Sequence, residues 1–208
     1  MIAATLWDFG GVMTTSPFEA FARYEEDHGL PVGFIRRLNA TNHHDNAWAR
    51  LERGEVSFDE FCELFEAEAG AAGGALVASE VMALLSGELR PQMVEALRRC
   101  RAAGLRTGCL TNNFVVADND PSTAMAEVLG LFDTVVESRR TGVRKPDPRF
   151  YQLACEALLI EPHQAVFLDD LGINLKPARE MGMATIKVSD PDVALRELSE
   201  ITGLSLID

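Results

Sequence analysis

Residues 6–15 read LWDFGGVMTT. An apolar run leads out to one carboxylate, Asp8, and two glycines, Gly10 and Gly11, stand beside it. Glycine there serves one of two ends. It gives a tight turn the backbone freedom it needs, or it clears space around a reactive acid so that backbone groups can approach whatever the acid touches. The remainder of the chain decides between these.

The apolar run is one of five short strand candidates. IAATLWD (2–8) is followed by RTGCLTN (106–112), DTVVES (133–138), QAVFLDD (164–170) and ATIKVS (184–189). Helical patterns separate the later ones. In PQMVEALRRCRAAG (91–104), Met93, Leu97 and Cys100 share a face and Gly104 stands where a helix stops. In PDPRFYQLACEALL (146–159), Asp147 suits the cap, Pro148 the first helical position, and Phe150, Ala154 and Leu158 the buried face. This alternation predicts an α/β fold with a doubly wound, Rossmann-like parallel sheet.

Residues 17–88 break the alternation and read as helices only. The clearest is VSFDEFCELFEAEAG (56–70). Ser57 and Glu60 have capping-box spacing, Val56 is placed to staple onto Phe61, and Phe58, Phe61, Cys62 and Phe65 share a face. Gly70, Gly73 and Gly74 are expected to end it. The chain therefore divides into a core, residues 1–16 and 89–208, and a helical cap, residues 17–88, inserted after the first strand. An insertion at the carboxyl end of a strand lies over the ligand crevice of such sheets, where a lid belongs. NNFVVADNDPSTAM (112–125) is expected to be a mobile loop near the same crevice.

The composition is that of an ordinary globular protein, with 47% hydrophobic and 25% charged residues among 208. A net charge of −13 argues against nucleic acid or an anionic membrane as the partner. The four cysteines, Cys62, Cys100, Cys109 and Cys155, are far apart and are expected to be reduced thiols of a cytoplasmic protein. No apolar run approaches the ~18 residues of a membrane span, and no export signal is seen.

Strand ends in an open α/β sheet converge on one crevice. That places Asp8, Thr111, Asn112, Asp169 and Asp170 together, with Lys145 just before the Pro-Asp-Pro helix start. Three carboxylates so close repel one another, and one lysine does not neutralise them. A hard divalent cation would, and Mg²⁺ is the usual choice beside phosphate.

DFGGV (8–12), LTNN (110–113), RKPDP (144–148) and FLDDLGINLKPAREMGM (167–183) resemble, in order, the four motifs of the haloacid dehalogenase superfamily. The resemblance is nearest to stand-alone relatives of the amino-terminal phosphatase domain of soluble epoxide hydrolase. It implies Asp8 as a nucleophile that forms an aspartyl-phosphate and Thr111 as a hydrogen-bond donor to the phosphoryl group, with Asn112 beside it. It implies Lys145 as the cation that pairs with Asp8 and phosphate, and Asp8 and Asp170 as Mg²⁺ ligands with the Gly10 carbonyl, supported by Asp169 directly or through water. Asn174 would cap the next helix or orient the acidic pair. The substrate would be a small phosphorylated metabolite, and the protein a monomer or homodimer.

Most phosphatases of the superfamily carry a second aspartate where this chain has Gly10. The acid/base role is vacant, and its loss typically costs ~10²–10⁴-fold in rate. Substrates with good leaving groups, such as sugar 1-phosphates or acyl phosphates, would suffer least. His43, His44 or Asp45, in TNHHDNAWARLERGE (41–55), could stand in, and Trp48 is either lid packing or part of a substrate pocket. Two other readings stay open: a phosphate- and metal-binding regulatory module with poor turnover, and a 2-haloacid dehalogenase using Asp8. These residues contain no α/β-hydrolase domain, so epoxide hydrolysis is not expected.

Overall fold

Five parallel strands form the sheet that positions every motif named above. They are β1 (Ala4–Trp7), β2 (Arg106–Thr111), β3 (Thr134–Glu137), β4 (Ala165–Asp169) and β5 (Ala184–Lys187), in the order β3-β2-β1-β4-β5. All five coincide with the segments expected from sequence. This is a computed structural model, and it describes residues 1–85, 87–113 and 123–207. β1 is central: Leu6 lies opposite Gly108 on one side and Phe167 on the other. The order reverses beside β1, so the crevice of the sheet opens where β1 and β4 end.

Both faces of the sheet are covered, which is why its strands are apolar throughout rather than alternating. Trp7, Cys109, Val166 and Leu168 face α6 (Pro91–Ala102) and α11 (Pro191–Thr202), meeting Met93, Leu97, Leu195 and Leu198. Leu6, Leu110 and Phe167 face the other way, onto α9 (Pro148–Leu158) and α10 (Gly172–Glu180), where Phe150, Tyr151, Leu175 and Ala178 are buried. Period-two alternation along β1 thus feeds two separate cores. Asp147 caps α9 through the Arg149 amide and Pro148 opens it, as the sequence indicates.

Five helices lie between β1 and α6: α1 (Phe18–Asp27), α2 (Phe34–Ala40), α3 (Ala47–Glu52), α4 (Phe58–Ala71) and α5 (Ala78–Ala83). They bury a cluster of their own around Phe21, Ile35, Phe61, Phe65 and Val81. The Ser57–Glu60 capping box is formed in both directions at the start of α4. That helix runs through Gly70, and the left-handed backbone of Gly73, at φ 83°, turns the chain after it. The insert joins the core through two antiparallel segments. Thr14 pairs with Leu89, and the Thr15 amide donates to the Glu88 carbonyl at 2.8 Å.

Two short helices complete the described residues, α7 (Thr123–Leu129) and α8 (Ser138–Thr141). α7 begins inside the stretch expected as a loop; residues 114–122 of that stretch lie outside the described residues. The four cysteines are free, three of them buried, as expected. Among the described residues no helix is long and apolar enough to cross a membrane.

The insert's packing rests on Phe61, which is fully buried and stacks on Phe65 with centroids 5.3 Å apart. Phe61→Ala should destabilise the protein by about 3–5 kcal/mol. Urea unfolding checks this, and a loss below about 1 kcal/mol would show that the insert does not depend on this contact.

Candidate active site

The chain leaves β1 still paired with β4, the Asp8 amide donating to the Leu168 carbonyl at 2.9 Å. It then winds tightly through Phe9–Met13, and the Asp8 Oδ1 accepts the Phe9 amide at 2.7 Å. The two glycines beside Asp8 prove to have different reasons. Gly11 has φ 75°, and a Cβ there would lie 2.4 Å from the Asp170 carboxylate. Only glycine lets this backbone pass so close to that acid. Gly10 has φ −67° and ψ 132°, open to any residue, and a Cβ would meet nothing within 4 Å. Its missing side chain reflects no local steric demand.

The three acids do gather. Asp8, Asp169 and Asp170 offer carboxylate oxygens that all lie within 4.8 Å of one another. Lys145 sits among them with 1% of its side chain exposed, its Nζ 2.8 Å from Asp8 Oδ1 and 2.8 Å from Asp169 Oδ2. Asp169 is fully buried and saturated with donors. The Leu171 amide donates to Oδ1 at 2.8 Å, and Asn174 Nδ2 reaches both oxygens at 3.1 Å. Asn174 thus holds Asp169. Its own carbonyl accepts the Tyr151 hydroxyl at 2.6 Å.

Asn112 is engaged with Lys145 rather than pointing freely at a ligand. Its Oδ1 accepts the Lys145 amide at 2.9 Å and its Nδ2 donates to the Lys145 carbonyl at 3.1 Å. The side chain expected to neighbour a phosphoryl oxygen therefore fixes the lysine's backbone. Thr111, half-buried, ends β2 one residue earlier.

The electrostatics are those of an acid cluster short of positive charge. Burial pushes the Asp8 carboxyl well above its usual value; Lys145 pulls it back, and Asp169 and Asp170 push it up again. Asp170 is pushed up to about 6, first by burial and then by Asp169. Burial opposes the charge on Lys145, but Asp169 and Asp8 outweigh it and raise its pKa above the ordinary lysine value. Three close carboxylates against one ammonium fit a divalent cation with oxygen ligands.

Trp48 packs edge-on against Phe61 and Phe65, at 5.6 Å to each centroid, and its Nε1 donates to Glu52 at 3.0 Å. It belongs to the insert's packing. The His43 and His44 rings lie 3.9 Å apart, and burial, His44 and Arg144 hold His43 below its usual pKa. Asp45 is 3.9 Å from Arg53. Sequence reasoning passed over Arg144 and Glu52, which meet at 2.5 Å between core and insert. It also passed over Tyr151, whose helical spacing marked it only as part of α9.

This chain belongs to the haloacid dehalogenase-like hydrolases, whose family model matches residues 2–182. It is 36% identical over 208 residues to acyl-CoA dehydrogenase family member 10 of Mus musculus, covering 98% of this chain and 19% of that protein. It is 34% identical over 220 residues to bifunctional epoxide hydrolase 2 of Sus scrofa, covering 99% of this chain and 40% of that one. The chain thus spans less than half the length of these two relatives. Against Phosphatase MT3486 of Mycobacterium tuberculosis it is 34% identical over 221 residues, covering 98% of this chain and 96% of that one. Among solved structures, a HAD-like family hydrolase from Porphyromonas gingivalis shares the fold at TM-score 0.70 and 20% identity, over 99% and 100% of the two chains. A HAD family enzyme from Bacteroides thetaiotaomicron, in complex with magnesium and inorganic phosphate, does so at 0.59 and 19%, over 90% and 94%.

The contrast between the glycines is measurable. Gly11→Ala should lose at least about 2 kcal/mol of stability through its left-handed φ and the approach to Asp170. Gly10→Ala should leave stability unchanged or raise it by up to about 1 kcal/mol. Equal urea midpoints for the two variants would contradict this account of the turn.

Proposed function

We propose that the protein is a Mg²⁺-dependent phosphomonoester hydrolase that acts on a small phosphorylated metabolite through an aspartyl-phosphate on Asp8. The observation that carries the reading is the cluster itself: Asp8, Asp169 and Asp170 within 4.8 Å, with Lys145 bridging the first two. The family membership and the phosphatase named among its relatives support the same chemistry.

Asp8, Asp170 and the Gly10 carbonyl would hold the cation, with Asp169, whose oxygens already accept from Lys145, Asn174 and the Leu171 amide, supporting it directly or through water. When bound, Mg²⁺ supplies the positive charge that lets an anionic nucleophile approach an anionic ester. A carboxylate oxygen of Asp8 attacks phosphorus, and the ester bond breaks with its electron pair passing to the leaving oxygen. Lys145 holds Asp8 in place and balances charge on the phosphoryl oxygens. Thr111 donates a hydrogen bond to that group, and Asn112 keeps Lys145 in register. Water then attacks the phosphorus of the aspartyl-phosphate, releasing phosphate and regenerating Asp8. Residues 17–88 act as the cap over this site.

No side chain at Gly10 can protonate the leaving group, which takes its proton from water unless His43, His44 or Asp45 stands in. This favours substrates whose leaving oxygen is a weak base, sugar 1-phosphates and acyl phosphates among them. The same vacancy supports a second reading, a domain that binds metal and phosphate with little turnover. The acidic pair Asp169 and Asp170 weighs against a metal-free dehalogenase, because such a cluster is repulsive without a cation.

Hydrolysis of p-nitrophenyl phosphate should require Mg²⁺, stop on chelation and be lost in Asp8→Asn. Gly10→Asp, for which the space exists, should raise turnover of alkyl phosphates more than that of aryl phosphates, on the order of 10²-fold or above where protonation limits the rate. No hydrolysis across a broad metabolite panel, alongside intact Mg²⁺ and phosphate binding, selects the second reading.

Metal binding should also follow pH. Asp170 titrates near 6 in the folded protein and about 3.9 when unfolded. The folded form thus binds the extra proton between these values. The stabilisation this gives is full below about pH 4 and is lost as pH rises through 6. Mg²⁺ must displace that proton. The rise in Tm on adding Mg²⁺ should be large at pH 7.5 and shrink as pH falls below 6. A pH-independent rise would rule out Asp170 as a ligand.

A further inference from the structure

We infer that the buried Glu52–Arg144 pair is a latch that holds the insert closed over the Asp8 site and ties its position to Lys145. The inference rests on the reading of residues 17–88 as a cap. Glu52 is the last residue of α3, and Arg144 is the residue before Lys145. Arg144 Nε lies 2.5 Å from Glu52 Oε2, with only 17% and 8% of the two side chains exposed. Its Nη1 also donates to the His43 carbonyl at 2.7 Å. Ser138, at the start of α8, donates its hydroxyl to the Glu52 carbonyl at 2.7 Å, and the Ser138 Oγ accepts the Asn113 amide at 3.1 Å. Trp48 holds the other oxygen of Glu52.

These contacts stand apart from the hinge. The hinge follows β1, whereas the latch grips the segment after β3, two strands away at the edge of the sheet. A body attached at both places is closed; released at the second, it swings on the first. The pairing is also poised to release. Arg144 Nε and Glu52 Oε2 are both buried where they meet. Burial pushes the Glu52 pKa up and Arg144 draws it back. A buried ion pair of this kind recovers much of its closing energy as hydration when it parts, which an apolar contact does not.

The latch also reaches the chemistry. The peptide that follows Arg144 carries the Lys145 amide, which Asn112 accepts at 2.9 Å. One short segment therefore presents Arg144 to the insert and Lys145 to Asp8. Arg144 and Glu52 are positioning residues, with no contact to the reacting atoms.

Acrylamide quenching of tryptophan fluorescence reads the latch without turnover. Trp7 is fully buried, so a change reports Trp48. Arg144→Met should raise quenching, and Mg²⁺ with orthovanadate should lower it again by closing the cap on a phosphoryl mimic. On p-nitrophenyl phosphate, Arg144→Met and Glu52→Gln should each raise KM about tenfold with a smaller change in kcat. The double variant should be no worse than either single. Arg144→Lys, which keeps the charge without the planar fork, should fall between and serves if the methionine variant does not fold. Unchanged quenching, additive effects on KM, or a loss of kcat at constant KM overturns the latch. Failure of the wild type to hydrolyse any phosphate ester would sink the phosphatase reading alone, since quenching decides the latch independently.

Discussion

The ammonium of Lys145, buried between Asp8 and Asp169, is the interaction on which the rest is arranged. Isolated, a charge so buried would cost several kcal/mol. It survives because two carboxylates face it and because its backbone is clamped by Asn112. Asp169 must in turn be held, and Asn174, the Leu171 amide and Tyr151 do so in successive layers. The sheet order makes this possible. β1 and β4 are neighbours at the point where the order reverses, so the acids at their ends meet without any long side chain having to reach.

Such a core does not by itself choose a substrate. Lys145 cancels one of three negative charges, and burial first, then the neighbouring acids, raise the pKa values of Asp8 and Asp170. What distinguishes this chain lies around the cluster. Gly11 is dictated by the passage of backbone against Asp170, whereas nothing in the surroundings dictates Gly10. A glycine without a steric reason at a position of chemical consequence points to the reaction, where a leaving group that needs no proton makes an acid there dispensable.

The sheet was legible because its signals are local. Apolar runs ending in Asp8, Thr111 and Asp169, and caps such as Asp147 and Ser57, depend on neighbours in sequence, and the structure keeps them at those places. The convergence of the acids followed from one rule of topology. Pairings between distant residues were not legible. Asn112 reads equally well as a donor to phosphate or as a clamp on Lys145, and only the approach of residues 33 positions apart decides. Arg144 stood in the RKPDP motif with no role of its own. Its partner Glu52 is far off in sequence, in a helix whose pattern announced only its apolar side. Gly70 misled for a related reason: packing of α4 on the insert's aromatic cluster outweighs the modest cost of one glycine, and the helix continues to Ala71.

The two attachments of the insert differ in kind, and the difference has a physical use. Beside β1, the Thr15 amide bonds the Glu88 carbonyl and the Arg90 amide the Met13 carbonyl, a backbone connection that fits a pivot. At the far side the contact is made by charges, a hydroxyl and carbonyls rather than by the aromatic surface, which is spent inside the insert. Had Phe61 or Trp48 been turned onto the core instead, closure would be stronger, but each opening would expose apolar area at roughly 25 cal/mol per Å². Polar groups that water can take over keep the two states near in energy. For the proposed phosphatase, which would admit a charged ester, exclude bulk water and then release phosphate, that near balance would matter more than tight closure.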